Sequence, residues 1–422
     1  MADELNTPTH RWHEPRNNIS LPKTDFSAQT IYDSGIQKID AWINSQPWGS
    51  PVPGLFALAE PGVWYDPSDL TTLFQDSAGT TPVTAAGQPV GLMLDKSRGA
   101  AAGTELITDG QFASSANWTF GSGWTVGGGQ AVKTAGTATN IRQAISVTEG
   151  RLYRIVIQST LTAGVITPWF MNNLSQAIVA GVAVASGFSV QYLIAPTGAT
   201  QIGFLNDAAF AGTIRSISVK EIAGVHAFQG TAASRPIYQI DGTGRPYLLF
   251  DGVDDFLVTG TITPGTDKVQ AFAGIRKLVD TVTAAVLVES SATAASNTGT
   301  FWLLAPASGA TQAYQVAARG SGTLVTRTSL AAPAPHTAVV TGLADIAAPS
   351  LTLRTNTVEL TGAQTLGTGG FLAYPLYIGR RAGATLPFNG QLYGLVVRFG
   401  PNMSADTITA TENWLNTKTG AY

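Results

Sequence analysis

Between Leu106 and Ile222 short apolar runs follow one another in the pattern of pleated strands, and glycine-rich breaks such as GSG and GGG separate them. Ile141, Ala144, Ile145 and Val147 form one run; Leu152, Tyr153, Ile155 and Ile157 another; Ile214, Ile217 and Val219 a third. Alternation sends successive side chains to opposite faces, so such a segment buries one face and wets the other. From Val225 onward the habit continues through YLLF, FLVTGTI, FAGI, AAVLV, FWLL, LTL, PLYIG and GQLYGLVVRF. Before Gly99, Leu55 to Leu58 and Val90 to Leu94 do the same around the turn-rich stretches DSAGTTP and AAGQP. Many short strands joined by tight turns predict a mainly β chain.

Composition narrows what such a chain can do. Charged residues are 12% against 44% hydrophobic, about half the usual charged share. A solvated disordered chain needs the opposite balance. Polarity must come from Thr, Ser, Asn, Gln and the backbone, and 46 glycines and 22 prolines supply the turns. A length of 422 residues suits two or three domains. The net charge of −3 and the lack of a basic run leave no footprint for nucleic acid. No apolar run approaches the roughly 18 residues of a spanning segment, so membrane insertion is not expected. The chain has no cysteine, which removes disulfides, Cys-zinc sites and thiol catalysis together. Its N-terminus, MADELNTPTHRWHEPRN, is polar and charged and is no signal peptide. Synthesis in a bacterial host cytoplasm with release by lysis would fit both features.

The two ends depart from the strand pattern. Charges and prolines dominate up to Pro22, as in an extended arm. Ala28, Ile31, Tyr32, Ile36, Ile39, Trp42 and Ile43 then recur at three- and four-residue steps, which predicts an amphipathic helix of about four to five turns. Ser27 can cap it, Pro47 stops it, and Pro47, Pro51, Pro53 and Gly54 read as a stiff linker. Its apolar face needs a partner: the chain's own β-domain on one reading, symmetry mates or a socket in a larger particle on the other. At the far end, SADTITATENWLNTKTG predicts a short helix lying on a sheet. Ser404 is its cap, Ile408, Thr411 and Leu415 share one face, and Gly420 lies just beyond.

Two stretches carry a resemblance. RPIYQIDGTGRPYLLFDGVDDFLVTG, then PLYIGRRAGATLPFNGQLYGLVVRF and a helix ending WLNTKTG, resemble the concanavalin A-like, laminin-G-like sandwiches of phage and prophage structural proteins. In YLLFDGVDDFL a buried strand, Tyr247 to Phe250, meets a turn bearing Gly252 and is expected to pair with a strand from Phe256. Gly390 in FNGQLYGLVV permits close approach to a neighbouring backbone. WYDPSDLTTLFQDSAGTTPVTAAGQPVGLMLDKSRG resembles the start of the same domains, which runs directly into a segment like HAFQGTAASRP. Here Asp95, Lys96, Ser97, Arg98 and Gly99 are separated from His226 to Pro236 by a long intervening stretch. That stretch opens ELITDGQFASSANWTFGSGWTVGGGQAV, closes GTIRSISVKEI, and resembles the jelly-roll carbohydrate-binding modules of bacterial glycoside hydrolases. The implied organisation has three parts: an N-terminal arm and helix at 1–54, a laminin-G-like sandwich at 55–99 plus 225–422, and an inserted jelly roll at 100–224. The fold class expected is therefore mainly β, two β-sandwich (jelly-roll and concanavalin A-like) domains with a helix near each end.

Jelly rolls hold sugars with an aromatic face under the pyranose ring and planar polar groups on the hydroxyls. The candidates are Trp118, Trp124, Arg142, Gln158, Trp169, Asn172 and Asn173. Trp118 and Trp124 flank a glycine-rich turn and suit core packing as well as a ligand platform. Trp169, Asn172 and Asn173 lie in WFMNN, an apolar run with two amides, as a cleft-lining strand has. Asp251, Asp254 and Asp255 are the densest acidic cluster. They suit turn capping, or calcium of the kind some laminin-G-like domains hold at a sandwich edge, although no second acidic cluster completes a shell. His10 and His13 form an H-x-x-H pair without thiolates. No metal or other cofactor is expected.

The resemblances imply a bacteriophage virion protein of tail-fibre or receptor-binding type, exposed on the particle surface. Residues 1–54 would join it to other virion proteins, the sandwiches would attach to host cell-surface polysaccharide, and a homotrimer would add avidity. A capsid decoration or head-fibre protein uses the same parts and is the alternative. A polysaccharide depolymerase has less behind it. There is no nucleophile elbow, no H-E-x-x-H and no phosphate-binding glycine loop. Outside the arm the histidines are His226 and His336, and Glu221, Glu289, Glu359 and Glu412 are scattered. A non-enzymatic protein is expected.

Overall fold

The structure, a computed structural model, describes residues 50–307 and 312–422. The arm and helix expected before residue 50, with His10 and His13, lie outside the described residues. The described chain is mainly β, as its alternation demands.

Two antiparallel sheets enclose the larger core. One runs, in spatial order, through Ile237–Ile240, Pro246–Asp251, Asn389–Phe399, Lys268–Lys277, His336–Asp345, Ser350–Thr355 and Val358–Leu360, with Gly62–Tyr65 also on Asn389–Phe399. The other runs through Leu73–Phe74, Leu92–Met93, Ala227–Phe228, Leu257–Thr259, Leu376–Ile378, Val286–Ser290, Thr300–Leu304, Gln315–Arg319 and Val325–Thr328. Leu248, Phe250, Ala271, Leu395 and Val397 of the first meet Leu257, Leu287, Phe301, Leu303 and Ile378 of the second in one buried cluster. The long strands, such as Lys268–Lys277 with Val269, Ala271, Ala273 and Ile275, contribute alternate residues to that cluster, which is why period-two runs were enough to foresee a sandwich.

One local expectation is corrected. Tyr247 to Phe250 is a strand, but the strand after Phe256 does not pair with it. Pro246–Asp251 bonds to Asn389–Phe399, whereas Leu257–Thr259 bonds to Leu376–Ile378 in the opposite sheet. The turn at Gly252 is thus a crossing between sheets, and Phe250 and Leu257 enter the same core from its two sides. Gly390 does sit close against a neighbour: a side chain there would press on the carbonyl of Arg276.

The outer face of the first sheet is covered by the C-terminal helix, Ala405–Thr419. Ser404 Oγ accepts from the Thr407 amide at 3.2 Å, and Gly420 ends the helix in the left-handed region at φ 62°. Thr411 and Leu415 are fully buried, and Trp414 packs edge-on to Trp64. Val52, Leu55 and Phe56 join the same cluster from a 3-10 turn, Val52–Phe56. The proline-rich stretch to Gly54 is therefore not a linker in its last residues, where Val52 is fully buried. Arg398 fixes the turn by donating to the Leu55 carbonyl at 2.7 Å.

Strands between Ala102 and Ile222 pair only with one another among the described residues. A six-stranded sheet contains Gly187–Ile194, Leu152–Ala163, Ala211–Ile222, Ala131–Lys133 and Trp124–Val126, with Ala102–Glu105 on the end of Ala211–Ile222. A five-stranded sheet contains Ala177–Ala180, Ile166–Met171, Gln201–Asn206, Thr139–Ala144 and Thr119–Phe120. Phe112, Ile141, Ile155, Phe170, Phe204 and Phe210 fill the space between them.

The two sandwiches share a further, smaller cluster: Phe74, Leu92 and Leu94 from one, Leu152, Tyr192 and Ile222 from the other. The rings of Phe74 and Tyr192 lie 5.2 Å apart, and the Tyr192 amide donates to the Ala78 carbonyl at 2.5 Å. Where the chain leaves and re-enters the first sandwich, Asp95 and His226 clasp each other. The Asp95 amide donates to His226 Nδ1 at 2.9 Å, and His226 Nε2 stands 3.1 Å from the Ile222 carbonyl. Burial lowers the His226 imidazole to about 4, so it is neutral. Ser50–Tyr422 is accordingly one compact unit.

Candidate functional site

The five-stranded sheet has one face in the core and one face outward. Ile166, Phe170, Ile202, Phe204 and Ile141 point inward, so their sequence neighbours point out. Strand register lines up Ala180, Trp169, Gly203, Arg142 and Thr119 in one row across the outer face. A second outward row holds Thr167, Leu205 and Asn140, and a third Met171, Gln201 and Ala144.

Gly203 shapes the middle of that surface. Any side chain there would collide with Met171 Sδ, so the thioether lies over the glycine and is buried even though it belongs to the outer face. The result is a low floor of glycine and thioether. Trp169 and Arg142 stand on the strands at either side, about 10 Å apart by strand spacing. Both are half-buried. Arg142 Nη1 donates to Asn140 Oδ1 at 2.9 Å, which orients the guanidinium and leaves the rest of its donor fork for another acceptor. From Ile155 to Asn206 the sequence contains no Asp, Glu, Lys, Arg or His, so Arg142 is the charge in these rows. An indole, a guanidinium and amides around an uncharged floor can stack on an apolar ring face and hydrogen-bond to hydroxyls at its rim.

The structure sorts the sequence candidates by position. Trp169 and Arg142 come together. Asn172 closes the turn after Trp169's strand: its Oδ1 accepts from the Leu174 and Gln176 amides at 2.9 and 3.0 Å, and its Nδ2 donates to Gln176 Oε1. Asn173 is exposed at the tip of that turn. Gln158 stands on the other sheet, paired with Phe188 and Ser216, and faces the opposite side of the sandwich.

Trp118 and Trp124 take the core packing that was one of the two readings open to them. Trp118 is 6% exposed, donates from Nε1 to the Asp109 carbonyl at 3.0 Å, and packs on Phe112 and Phe204. Trp124 is 8% exposed and packs on Phe210. Their inward direction leaves no face for a ligand. Residues missed from sequence are Asn140, Thr167, Met171, Gln201 and Gly203. The signal that finds them is parity: once Ile202 and Phe204 are assigned to the core, Gly203 must point out.

Asp251, Asp254 and Asp255 do gather, each offering an oxygen within 4.8 Å of the others. Asp255 accepts from the Asp251 amide at 3.0 Å, Asp251 from the Val253 amide at 2.8 Å, and Asp254 from Ser234 Oγ at 2.7 Å. These bonds tie down the crossing turn. Burial, with repulsion from its two neighbours, pushes the Asp255 carboxyl up to about 7. A cation would find three carboxylates here, short of the shell calcium takes.

The scattered glutamates are engaged separately. Glu289 is fully buried against Arg381 at 2.8 Å, Glu359 and Glu412 both pair with Arg354, and Glu221 accepts from the Tyr153 hydroxyl.

No protein-family model matches the sequence, and no curated protein matches it. Solved structures show partial likenesses. The carbohydrate-binding module (CBM40) of the Ruminococcus gnavus IT-sialidase, bound to α2,6-sialyllactose, is 15% identical over 35% of this chain and 84% of that one, with a TM-score of 0.29. Domains LG4-5 of the mouse laminin α1 chain are 10% identical over 63% of this chain and 86% of that one, with a TM-score of 0.28. The enzymatically active domain of tailspike protein 4 of bacteriophage CBA120 is 20% identical over 28% of this chain and 21% of that one, with a TM-score of 0.23.

Proposed function

We propose that the chain is a non-catalytic attachment protein of a bacteriophage particle that binds host surface polysaccharide through the outer face of its five-stranded sheet. The observation that carries this reading is the row Trp169–Gly203–Arg142, an aromatic and a guanidinium across a flat, uncharged floor. Such a surface suits a neutral, ring-shaped ligand with an apolar face and polar rim. Trp169 would lie under the sugar ring, Arg142 and Asn140 would meet hydroxyls, and Asn173 would reach the end of a longer saccharide. The residues before Ser50 would join the chain to other virion proteins, and a homotrimer would multiply weak single-site affinity. The sequence resemblance to phage laminin-G-like domains supports the particle location.

The test is calorimetry of the intact chain with host surface polysaccharide, before and after Trp169→Ala. Stacking of a flat ring on one aromatic is worth about 1–3 kcal/mol in base–aromatic stacks, so affinity should fall by about 5- to 150-fold. Unchanged affinity in W169A, or no binding by the intact chain, refutes the reading.

A further inference from the structure

Beside the contact between the two sandwiches lies a cleft of about 210 Å³ whose walls come from both. Arg151 projects from the second sandwich; Gly62, Arg98, Thr261 and Thr263 belong to the first, and Asp95 forms part of the floor. The lining thus carries two guanidiniums against one carboxylate, on a chain whose net charge is −3. Asp95 is committed to other donors. It accepts from the amides of Trp64, Ser97 and Val225, each at 2.8 Å, and from Ser97 Oγ at 2.7 Å. Arg98 donates to the carbonyls of Ala59 and Glu60 at 2.7 and 2.9 Å, so its charge has no carboxylate partner among the described residues.

Arg151 is different. Its guanidinium makes no hydrogen bond among the described residues, its side chain is 46% exposed, and its closest carboxylate, Glu221, stands 3.9 Å away. Thr261 and Thr263 line the same cleft from an exposed loop. A forked cation with open donors, flanked by hydroxyls in a space larger than a lone oxyanion needs, is suited to a carboxylate attached to a polyol.

We propose that this cleft is a second saccharide subsite that takes a carboxylated sugar residue of the hexuronate class, with Arg151 on the carboxylate and Thr261 and Thr263 on ring hydroxyls. The proposal rests on the reading of the chain as a saccharide binder, but on different residues from the sheet face. The walls of the cleft come from both sandwiches, so it recognises acidic sugar only in the joined molecule.

The probes are glucuronate, glucose, acetate and inorganic phosphate, titrated into the full chain at low ionic strength. The expected result is binding of glucuronate above glucose and above both small anions, reduced at least tenfold in Arg151→Met and several-fold in Thr261→Val/Thr263→Val. Arg151→Lys should recover only part of the loss, because a point charge replaces a fork. Equal glucuronate affinity in R151M overturns the proposal, as does absence of glucuronate binding. Acetate or phosphate binding as tightly as glucuronate also overturns it, by showing an anion site without sugar recognition. Arg151 is half exposed, so R151M should keep the parent melting temperature. If R151M is silent while polysaccharide binding still depends on Trp169, the cleft fails alone. If R151M loses glucuronate while Trp169→Ala leaves polysaccharide binding intact, the sheet-face reading fails alone.

Discussion

Tyr192→Ala should break the molecule's single cooperative melting into two. Tyr192 is 9% exposed and packs with Phe74, Leu92, Leu94, Leu152 and Ile222 at the contact between sandwiches. Burying side chains of this size stabilises by about 1.5–3 kcal/mol each, so six of them couple the two bodies by roughly 9–18 kcal/mol before ordering costs. Truncating a buried aromatic to alanine costs about 3–5 kcal/mol. A ring at the rim of a small cluster belongs at the lower end, about 3 kcal/mol, or roughly a sixth to a third of the coupling. Neither main core touches Tyr192, so the loss falls on the contact and not on either sandwich. Differential scanning calorimetry should show one transition in the parent and a leading, separable transition in the variant. Gly79→Ala should do the same independently: φ at Gly79 is 61°, and a side chain there would collide with the Tyr192 ring. A single transition in Y192A, displaced by less than about 2 °C, would show that the contact contributes little, and the reasoning would fail.

Two further outcomes follow from buried charge. His226 titrates near 4 when folded and near 6.5 when unfolded, so its contribution is complete above about pH 6.5 and is lost as pH falls toward 4. Asp255 moves oppositely: raised to about 7 from 3.8, it contributes stability at low pH that is lost as pH rises to 7. The two slopes oppose each other between about pH 4 and 6.5, and Asp255→Asn should expose the His226 slope as a melting temperature that climbs with pH across that window. A D255N curve parallel to the parent's would contradict this. Because the Asp251, Asp254 and Asp255 oxygens are engaged by the turn's own amides and Ser234, EDTA should change neither melting temperature nor saccharide affinity. A rise of several degrees in millimolar calcium would show instead that the cluster binds the ion.

Features written in local chemistry were legible in the sequence. The C-terminal helix is one: Ser404 and Gly420 act on amides and carbonyls within a turn of themselves, so no distant partner is needed to place its ends. The sandwich class is another, since alternation alone sets which residues can be buried. The crossing at Gly252 was not legible. A glycine turn between two apolar runs describes a hairpin and a sheet-to-sheet arch equally well. Only the distant strands Asn389–Phe399 and Leu376–Ile378 decide between them. The proline-rich stretch failed for a related reason, because Val52, Leu55 and Phe56 become core only against Trp414 and Leu415.

The candidate site shows the same limit more sharply. Trp118, Trp124 and Trp169 are equivalent as letters, yet two are core and one is surface. In WFM the aromatic and thioether neighbours are all apolar, so composition cannot choose the parity of the strand. Phe170 sets it, by entering the cluster with Phe204 and Ile141. Gly203 and Arg142 then become neighbours of Trp169 through register, which no local spacing records. The break between the DKSRG and HAFQ segments was visible, but not that its edges remain bonded, with the Asp95 amide on His226 Nδ1 and the Val225 amide on Asp95 Oδ2. That clasp brings the chain back beside its point of departure, so the second sandwich is held by two short, mutually bonded crossings as well as by the Tyr192 contact. A body held this way cannot swing freely about its crossings, and the sheet face and the cleft keep a fixed relation to each other. Under the proposed saccharide reading, two weak subsites in fixed register would act on one saccharide chain without paying again for orientation at the second.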